Sequence, residues 1–261
     1  MPDPLLGFST LSGSRRSPQV LMVGPSLGTS VRQVWGDCAN RLADRYEVVG
    51  WDLPGHGASP ITGQAFTIED LAGAVTGHTL TYADGRPSVY AGASIGGAVG
   101  LVLALGPGPF TSVAAIGSAG KIGDATEWRN RAALVRREGT AQLTDATPGR
   151  WFTAEFRKAH PERVNEMMSS LKDVDDGSYA LACEALAEFD IRRDLAAAAV
   201  PVLFCVGDHD AVVTPDELQI ETATMPSAQV LLLEGCSHLP TVENPDEVAA
   251  MLLRFFDAEA P

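Results

Sequence analysis

Short apolar runs alternate with amphipathic segments along almost the whole chain. The runs typical of strands are Val20–Val23, Val48–Trp51, Val89–Ala91, Val113–Ile116, Val202–Val206 and Val230–Leu233. Each run is followed by a loop that contains Gly or Pro and then by a helical pattern. This alternation predicts an α/β fold with a mostly parallel central sheet flanked by helices.

One segment, residues 121–193, breaks the alternation because it has helical patterns and no convincing strand. It carries 12 of the 19 basic residues of the chain but only 13 of the 33 acidic residues. We interpret it as a helical lid inserted into an α/β core that comprises residues 1–120 and 194–261. The alternative is that these helices are rich in Lys and Arg only because both residues are good helix formers.

The charge balance limits the partners of the protein. The 261 residues carry a net charge of −14, which repels nucleic acid and anionic membrane surfaces. No apolar run approaches the roughly 20 residues of a membrane span, and the N-terminus does not resemble a secretory signal. The four cysteines show no C-x-x-C spacing. We therefore expect a cytoplasmic protein with neither nucleic-acid nor membrane partners.

The motif GASIGG at residues 92–97 is the strongest chemical signal in the chain. It directly follows one predicted strand and precedes an apolar helix. A G-x-S-x-G motif in this setting is typical of a nucleophile elbow, a tight turn that exposes the serine hydroxyl above the sheet. Ser94 is therefore the candidate nucleophile. The alternative is a glycine-rich turn whose serine only caps the helix.

Two candidate partners of Ser94 follow it in the chain, each after a predicted strand. Asp210 lies in the loop after Val202–Val206, and Asp208 in the same loop is its rival. His238 lies in the loop after the last predicted strand. The order Ser94, Asp210, His238 predicts a catalytic triad, in which a carboxylate orients an imidazole that acts as general base.

Acyl transfer also requires donors for the developing oxyanion. The backbone N–H of Ile95, directly after the serine, is one candidate. The second is the N–H of Leu27, because Gly28 allows the loop after Val20–Val23 to direct this amide inward. The alternative is an ordinary turn between strand and helix. The glycine-rich loop at residues 52–59 is assigned a structural role, and His56 within it is not expected to do chemistry.

The lid contains aromatic and basic residues suited to a small flat anion. Arg131 lies one helical turn after Trp128, and Trp151 follows Arg150. A guanidinium can hold a carboxylate through two hydrogen bonds while indole faces cover an apolar ring. We assign substrate binding to Arg131, Trp128 and Trp151. The alternative is that both tryptophans pack the lid onto the core and that the arginines face water.

Metals and redox cofactors have no support in the sequence. No cluster of His, Cys, Asp and Glu has metal-ligand spacing, and no G-x-G-x-x-G motif opens a strand-helix-strand unit. Cys205 and Cys236 lie beside predicted triad residues, but the elbow itself holds Ser94, so both are expected to be small buried side chains. We expect no metal and no cofactor.

The order of these motifs resembles the α/β-hydrolases, and most closely 3-oxoadipate enol-lactonases of the β-ketoadipate pathway, which degrades aromatic compounds. The core segments that carry the resemblance are SLGTS (26–30) with Trp35, DLPGHGAS (52–59) and the elbow. The lid segments are KIG (121–123) with Trp128 and Arg131, RWFT (150–153) with Phe156, and YALACEALAEFD (179–190). The chain departs from that family at Pro25, Pro54, Ala93 and Ile95.

The resemblance implies an α/β-hydrolase fold and a serine hydrolase that opens an anionic enol-lactone to 3-oxoadipate through an acyl-enzyme. The basic residues of the lid would hold the free carboxylate of the substrate. The alternative functions on this fold are those of a carbon–carbon bond hydrolase, an esterase and a cofactor-free haloperoxidase. A rival from another class is a receptor that keeps the triad and signals by lid movement.

Overall fold

The computed structural model describes residues 4–225 and 228–259. Within these ranges one sheet contains β1 (Phe8–Ser12), β2 (Gln19–Gly24), β3 (Tyr46–Trp51), β4 (Ser88–Ala93), β5 (Phe110–Ile116), β6 (Val202–Gly207) and β7 (Ala228–Leu233). The strands lie in the order β1-β3-β2-β4-β5-β6-β7. β1 pairs with β3 in antiparallel orientation, whereas the other pairs are parallel. The predicted mostly parallel sheet is confirmed.

Helices flank this sheet and connect its strands. In chain order the α-helices of the described residues are α1 (Val31–Leu42), α2 (Ile68–Ala83), α3 (Ile95–Leu105), α4 (Ala125–Glu138), α5 (Thr147–Trp151), α6 (Ala154–Ala159), α7 (Pro161–Lys172), α8 (Asp176–Glu188), α9 (Pro215–Thr222), α10 (Pro240–Glu243) and α11 (Pro245–Ala258). Short 3₁₀ helices lie at Thr140–Leu143 and Leu195–Ala197. None of the described helices is long and apolar enough to cross a membrane.

Side chains at the helix starts satisfy amides that have no partner within the helix. The Thr67 hydroxyl accepts from the Asp70 N–H while the Asp70 carboxylate accepts from the Thr67 N–H, which forms a capping box at the start of α2. The Asn244 side chain accepts from the Glu247 N–H at the start of α11, where Pro245 occupies the first helical position.

The core lies on both faces of the sheet because its parallel strands are covered by helices on each side. Along β2, Val20 and Met22 pack into one apolar cluster, and Leu21 and Val23 pack into the other. All four side chains are fully buried. This burial on both faces explains why the parallel strands are continuous apolar runs rather than alternating patterns.

Each of the six predicted strands lies within an observed strand, but β1 was not predicted. Its sequence FSTLS contains no apolar run, and its residues are half-buried or exposed. β1 is held by its backbone pairing with β3, where Phe8 lies opposite Trp51 and Thr10 opposite Val49. A strand at the edge of the sheet needs little apolar surface, so the sequence carried no clear signal for it.

The predicted lid, residues 121–193, contains α4 to α8 and no strand. α4 packs against α8, with Trp128 and Ala132 buried on the first helix and Tyr179 and Cys183 buried on the second. Ion pairs join the exposed edges of the two helices, among them Arg129 with Glu188 at 2.7 Å. Two of the lid's basic residues, Arg129 and Arg136, therefore pair between helices, and such exposed pairs contribute little to stability.

Candidate active site

Ser94 lies at the sharp turn between β4 and α3. Its φ of 52° and ψ of −117° place a non-glycine residue in a strained region of backbone space. Gly96 packs against the loop after β2, where its N–H donates to the Pro25 carbonyl at 2.9 Å. A Cβ at Gly96 would lie 2.5 Å from the Gly24 carbonyl carbon. Only glycine therefore allows the elbow to approach this loop so closely.

Asp210 and His238 meet at the carboxyl ends of β6 and β7. Nδ1 of His238 lies 3.0 Å from Oδ2 and 3.2 Å from Oδ1 of Asp210. The side chain of Asp210 is fully buried and that of His238 is 4% exposed. The backbone N–H groups of Val212 and Val213 donate to Oδ1 of Asp210 at 2.7 and 3.1 Å. These contacts leave Nε2 of His238 as the ring nitrogen available to a reacting group.

Charge and hydrogen bonding keep the Asp210 carboxylate ionised. Burial raises the pKa of Asp210, but the charge and hydrogen bond of His238, together with the two backbone amides, outweigh burial and hold that pKa below its ordinary value. The ionised carboxylate can stabilise a protonated His238. The geometry therefore suits a histidine that takes up a proton and later returns it.

The rival carboxylate Asp208 has a different partner. Its Oδ1 accepts from the Cys236 N–H at 3.3 Å, and its backbone N–H donates to the Leu233 carbonyl. Asp208 therefore ties the two loops together, while Asp210 contacts the imidazole of His238.

The candidate oxyanion donors lie in two adjoining segments. Leu27 occupies a turn in which the Thr29 N–H donates to the Ser26 carbonyl at 3.3 Å, and Gly28 has a φ of +84°. Ile95 is the first residue of α3, so its N–H has no acceptor within the helix. In the described part of the chain, the Leu27 N–H donates no hydrogen bond to another protein group. Both amides are therefore available to a negatively charged oxygen.

Ser94 and His238 open into a narrow cavity of about 20 Å³, which has room for one water molecule. The other lining residues are Ser26, Leu27, Trp128, Arg131, Thr147, Arg150, Trp151, Tyr179 and Val212. An outer chamber of about 510 Å³ shares Trp128, Arg131, Arg150 and Val212 with it. A larger groove of about 1050 Å³ adjoins this chamber but includes neither Ser94 nor His238. A substrate entering from the chamber must therefore move side chains at this shared mouth.

Two guanidiniums lie at the mouth of the inner cavity. Arg131 stands over the ring of Trp128, 5.1 Å from its centroid, on the face that the sequence predicted. In the described part of the chain neither Arg131 nor Arg150 pairs with a carboxylate, whereas Arg129 does. Burial, and then the positive charge of Arg131, lower the pKa of Arg150 from its ordinary value. Glu127 also lines the outer chamber and its charge acts on Arg150 from a greater distance than an ion pair. Two partly buried like charges with no carboxylate in direct contact are suited to bind an anion.

The structure brings together residues that the sequence predicted separately. Trp128, Arg131 and Trp151 all line the cavity that holds Ser94, although the indole Nε1 of Trp128 also donates to the Ile122 carbonyl within the lid. The sequence indicated Arg150 only as the neighbour of Trp151 and favoured Arg131 for the carboxylate. It gave no signal for Val212, which lines both the inner cavity and the outer chamber.

Glu243 is a second residue that sequence reasoning missed. Its half-buried carboxylate accepts from the backbone N–H and the hydroxyl of Thr153 in the lid, and from the N–H of Ser237 beside His238. A lone acidic residue at the end of a four-residue helix gives no sign of this role.

The described residues hold no group of three His, Cys, Asp or Glu side chains that could bind a metal ion. The predicted burial of Cys205 and Cys236 is confirmed. Burial raises the pKa of the Cys236 thiol to about 12, which disfavours the thiolate that a nucleophile requires.

Comparison with known proteins agrees with this fold. Residues 20–251 match the Alpha/beta hydrolase family. The chain is 33% identical to 3-oxoadipate enol-lactonase 2 of Acinetobacter baylyi over 97% of this chain and 95% of that one. It is 29% identical to 3-oxoadipate enol-lactonase 1 of the same organism, over 91% and 88%. The enol-lactonase of Burkholderia xenovorans superposes with a TM-score of 0.90 at 29% identity, covering 97% and 96% of the two chains. The chain belongs to the alpha/beta hydrolase family.

Proposed function

We propose that this protein is a serine-dependent ester hydrolase that opens a small enol-lactone with a free carboxylate, as in the conversion of 3-oxoadipate enol-lactone to 3-oxoadipate. The enol-lactonases among its relatives support ester hydrolysis as the reaction class. The observation that carries the choice of substrate is the position of Arg131 and Arg150, which form no ion pair with a described carboxylate, at the mouth of the cavity that contains Ser94.

In the proposed first half-reaction, the Ser94 hydroxyl attacks the ring carbonyl while His238 takes its proton. The N–H groups of Leu27 and Ile95 stabilise the oxyanion. The bond between the carbonyl carbon and the ring oxygen then breaks. The enolate that leaves takes up a proton and becomes a ketone, so the acyl-enzyme carries the opened chain. The proton that the enolate takes up comes from His238, which is thereby neutral again, and the ketone stays attached to the acyl chain. An enolate is a better leaving group than an alkoxide, which lowers the barrier to acylation.

In the second half-reaction, a water molecule enters beside the acyl carbon. His238 takes a proton from the water, which attacks the acyl carbon and releases the new carboxylate from Ser94. Throughout the cycle, Asp210 stays ionised and stabilises the imidazolium. Arg131 and Arg150 hold the pendant carboxylate of the substrate, and the rings of Trp128 and Trp151 cover the lactone.

The experiment that tests this function compares steady-state kcat/KM on the enol-lactone with that on its methyl ester, an uncharged substrate with the same ring. Because a charge-assisted hydrogen bond is worth roughly 1.5–3 kcal/mol, we expect a preference for the anionic lactone of about ten- to a hundredfold. A higher kcat/KM on the uncharged ester would contradict the proposed substrate and favour a general esterase.

Parallel assays distinguish the proposed lactonase from a carbon–carbon bond hydrolase, a haloperoxidase and a receptor. Cleavage of a 1,5-diketone acid faster than the lactone would favour a carbon–carbon bond hydrolase. Halogenation of an organic acceptor from peroxide and bromide would favour a haloperoxidase. A receptor that keeps the triad would react at most a few times per molecule, whereas the proposed enzyme completes many cycles.

A further inference from the structure

The imidazole of His56 is buried next to the candidate active site, although the proposed reaction does not use it. It comes from the loop at residues 52–59 and is 1% exposed. Its Nδ1 lies 2.9 Å from the carbonyl oxygen of Pro54. Its Nε2 lies 3.2 Å from the backbone nitrogen of Gly28, whose N–H points at it. Both ring nitrogens therefore have a backbone partner.

These partners determine the tautomer of His56. A carbonyl oxygen can only accept a hydrogen bond and a backbone N–H can only donate one. Nδ1 therefore carries the proton, and the lone pair of Nε2 faces Gly28. Burial lowers the pKa of His56 to about 4, so the ring is neutral at neutral pH and this lone pair remains available.

The hydrogen bond from Gly28 fixes the turn that carries Leu27. Residues 26–29 form a β-turn with a positive φ at its third residue, which is the type II geometry. In this turn the peptide between Leu27 and Gly28 is rotated by roughly 180° relative to a type I turn. The Leu27 N–H belongs to the same planar peptide as the Ser26 carbonyl, which accepts from the Thr29 N–H, so holding this turn closed fixes the direction of the Leu27 N–H.

One face of the imidazole ring lies against the lid. The ring stacks on Tyr179 with centroids 6.1 Å apart and an interplanar angle of 18°. The Gly55 carbonyl accepts from the Asp175 N–H at the start of α8. Tyr179 lines the same cavity as Ser94. His56 is therefore held at both ring nitrogens and on one ring face, which gives its Nε2 a fixed position relative to Gly28.

We propose that His56 is a positioning residue: by accepting the Gly28 N–H, it locks the turn in which the Leu27 N–H faces the oxyanion. This role rests on the proposed serine hydrolase mechanism of the same site. It does not depend on which ester is hydrolysed. His56 acts through Leu27 and has no contact with the reacting atoms.

The test compares His56→Leu with His56→Gln on p-nitrophenyl acetate. Leucine fills a similar space without an acceptor, whereas the glutamine amide oxygen can take the place of Nε2. Because the loss of one oxyanion donor costs about 10²–10³ in kcat, we expect His56→Leu to lose on the order of a hundredfold in kcat with little change in KM. His56→Gln should recover most of that loss.

Two inhibitors separate positioning from general disruption. A phenylboronic acid forms a tetrahedral anion on the serine and should lose affinity in His56→Leu in step with kcat. A neutral lactam resembles the ground-state ester and should bind both variants and the wild type about equally. Equal loss of affinity for both inhibitors, or a glutamine variant no better than leucine, would overturn the proposal.

A double-mutant cycle tests whether His56 acts through Leu27. Proline is favoured at the second position of a type II turn, so Leu27→Pro removes the N–H and keeps the turn. If the proposal holds, His56→Leu costs little further activity in the Leu27→Pro background. Multiplicative losses would mean that His56 acts by another route.

Nitrogen-15 NMR of the wild-type imidazole tests the tautomer without any substitution. A proton on Nδ1 is expected, and a proton on Nε2 would overturn the proposal even if every variant failed to fold. Failure of the wild type to hydrolyse any ester would instead refute the proposed function itself. Normal wild-type activity combined with no rescue by glutamine would refute only the role of His56.

Discussion

Replacing Arg131 by leucine should convert the enzyme from one that selects anionic substrates to one that does not. The guanidinium is half-buried at the mouth of the cavity and has no carboxylate partner in the described part of the chain. A charge-assisted hydrogen bond to a substrate carboxylate in such a setting is worth roughly 1.5–3 kcal/mol. Since 1.4 kcal/mol corresponds to a factor of ten, we expect a loss of about ten- to a hundredfold in kcat/KM.

The assay compares the enol-lactone with its methyl ester, which has the same ring and no charge. Arg131→Leu should lower kcat/KM for the acid by about ten- to a hundredfold and leave kcat/KM for the ester nearly unchanged. Arg131→Lys should recover part of the loss, because an ammonium lacks the planar fork of guanidinium. Arg150→Leu should likewise lower kcat/KM for the acid and leave kcat/KM for the ester nearly unchanged. The double variant tests whether both arginines hold one carboxylate.

Arg129→Leu is the matched control, since Arg129 lies on the same helix but pairs with Glu188 at an exposed edge. It should leave both substrates unaffected. Equal loss on the acid and the ester in Arg131→Leu would mean that the substitution disturbs the lid. Carboxylate binding by Arg131 would then be refuted.

Three further outcomes follow from the geometry. We expect kcat to fall by a factor on the order of 10⁶ in Ser94→Ala, in His238→Ala and in the double variant alike, because these residues act as a unit. A double variant whose loss in activation free energy is the sum of the two single losses would refute the assignment. Asp210→Asn should reduce kcat far more than Asp208→Asn, and the reverse order would reassign the acid. The pKa of His56 is lowered from 6.5 to about 4, so between these pH values the unfolded chain binds a proton that the folded chain does not. As the pH falls from 7 to 5, the free energy of unfolding of the wild type should therefore decrease relative to that of His56→Gln. The decrease is about 1.4 kcal/mol per pH unit below the ordinary pKa of histidine, or about 2 kcal/mol in total, and urea titration measures it. A difference that stays constant over this range would contradict the burial of a neutral imidazole.

The α/β core was predictable because its parallel strands are buried on both faces. That burial requires continuous apolar runs such as Val202–Val206, and these runs are visible in the sequence. The edge strand β1 was not predictable, because backbone pairing with β3 holds it and its side chains remain half-exposed. Helix starts at Thr67 and Asn244 were predictable because capping is local chemistry.

The core of the candidate site was more predictable than the lid. Ser94, Asp210 and His238 each follow a strand, and the ends of parallel strands converge at one edge of a sheet. Arg131 on α4 and Arg150 on α5 line the same cavity only because of the tertiary arrangement of the lid, and no local pattern encodes that arrangement. The contact between His56 and Gly28 likewise joins two loops that are not adjacent in the sequence, so no local pattern encodes it.

The most direct test of the central claim is a count of turnovers on the enol-lactone, with purified wild type and Ser94→Ala compared at equal concentration. The wild type should complete many cycles per molecule, and Ser94→Ala should fall to the uncatalysed rate. Wild-type protein that stops after one or a few equivalents of product would contradict the proposed enzyme, and full turnover by Ser94→Ala would contradict the serine mechanism.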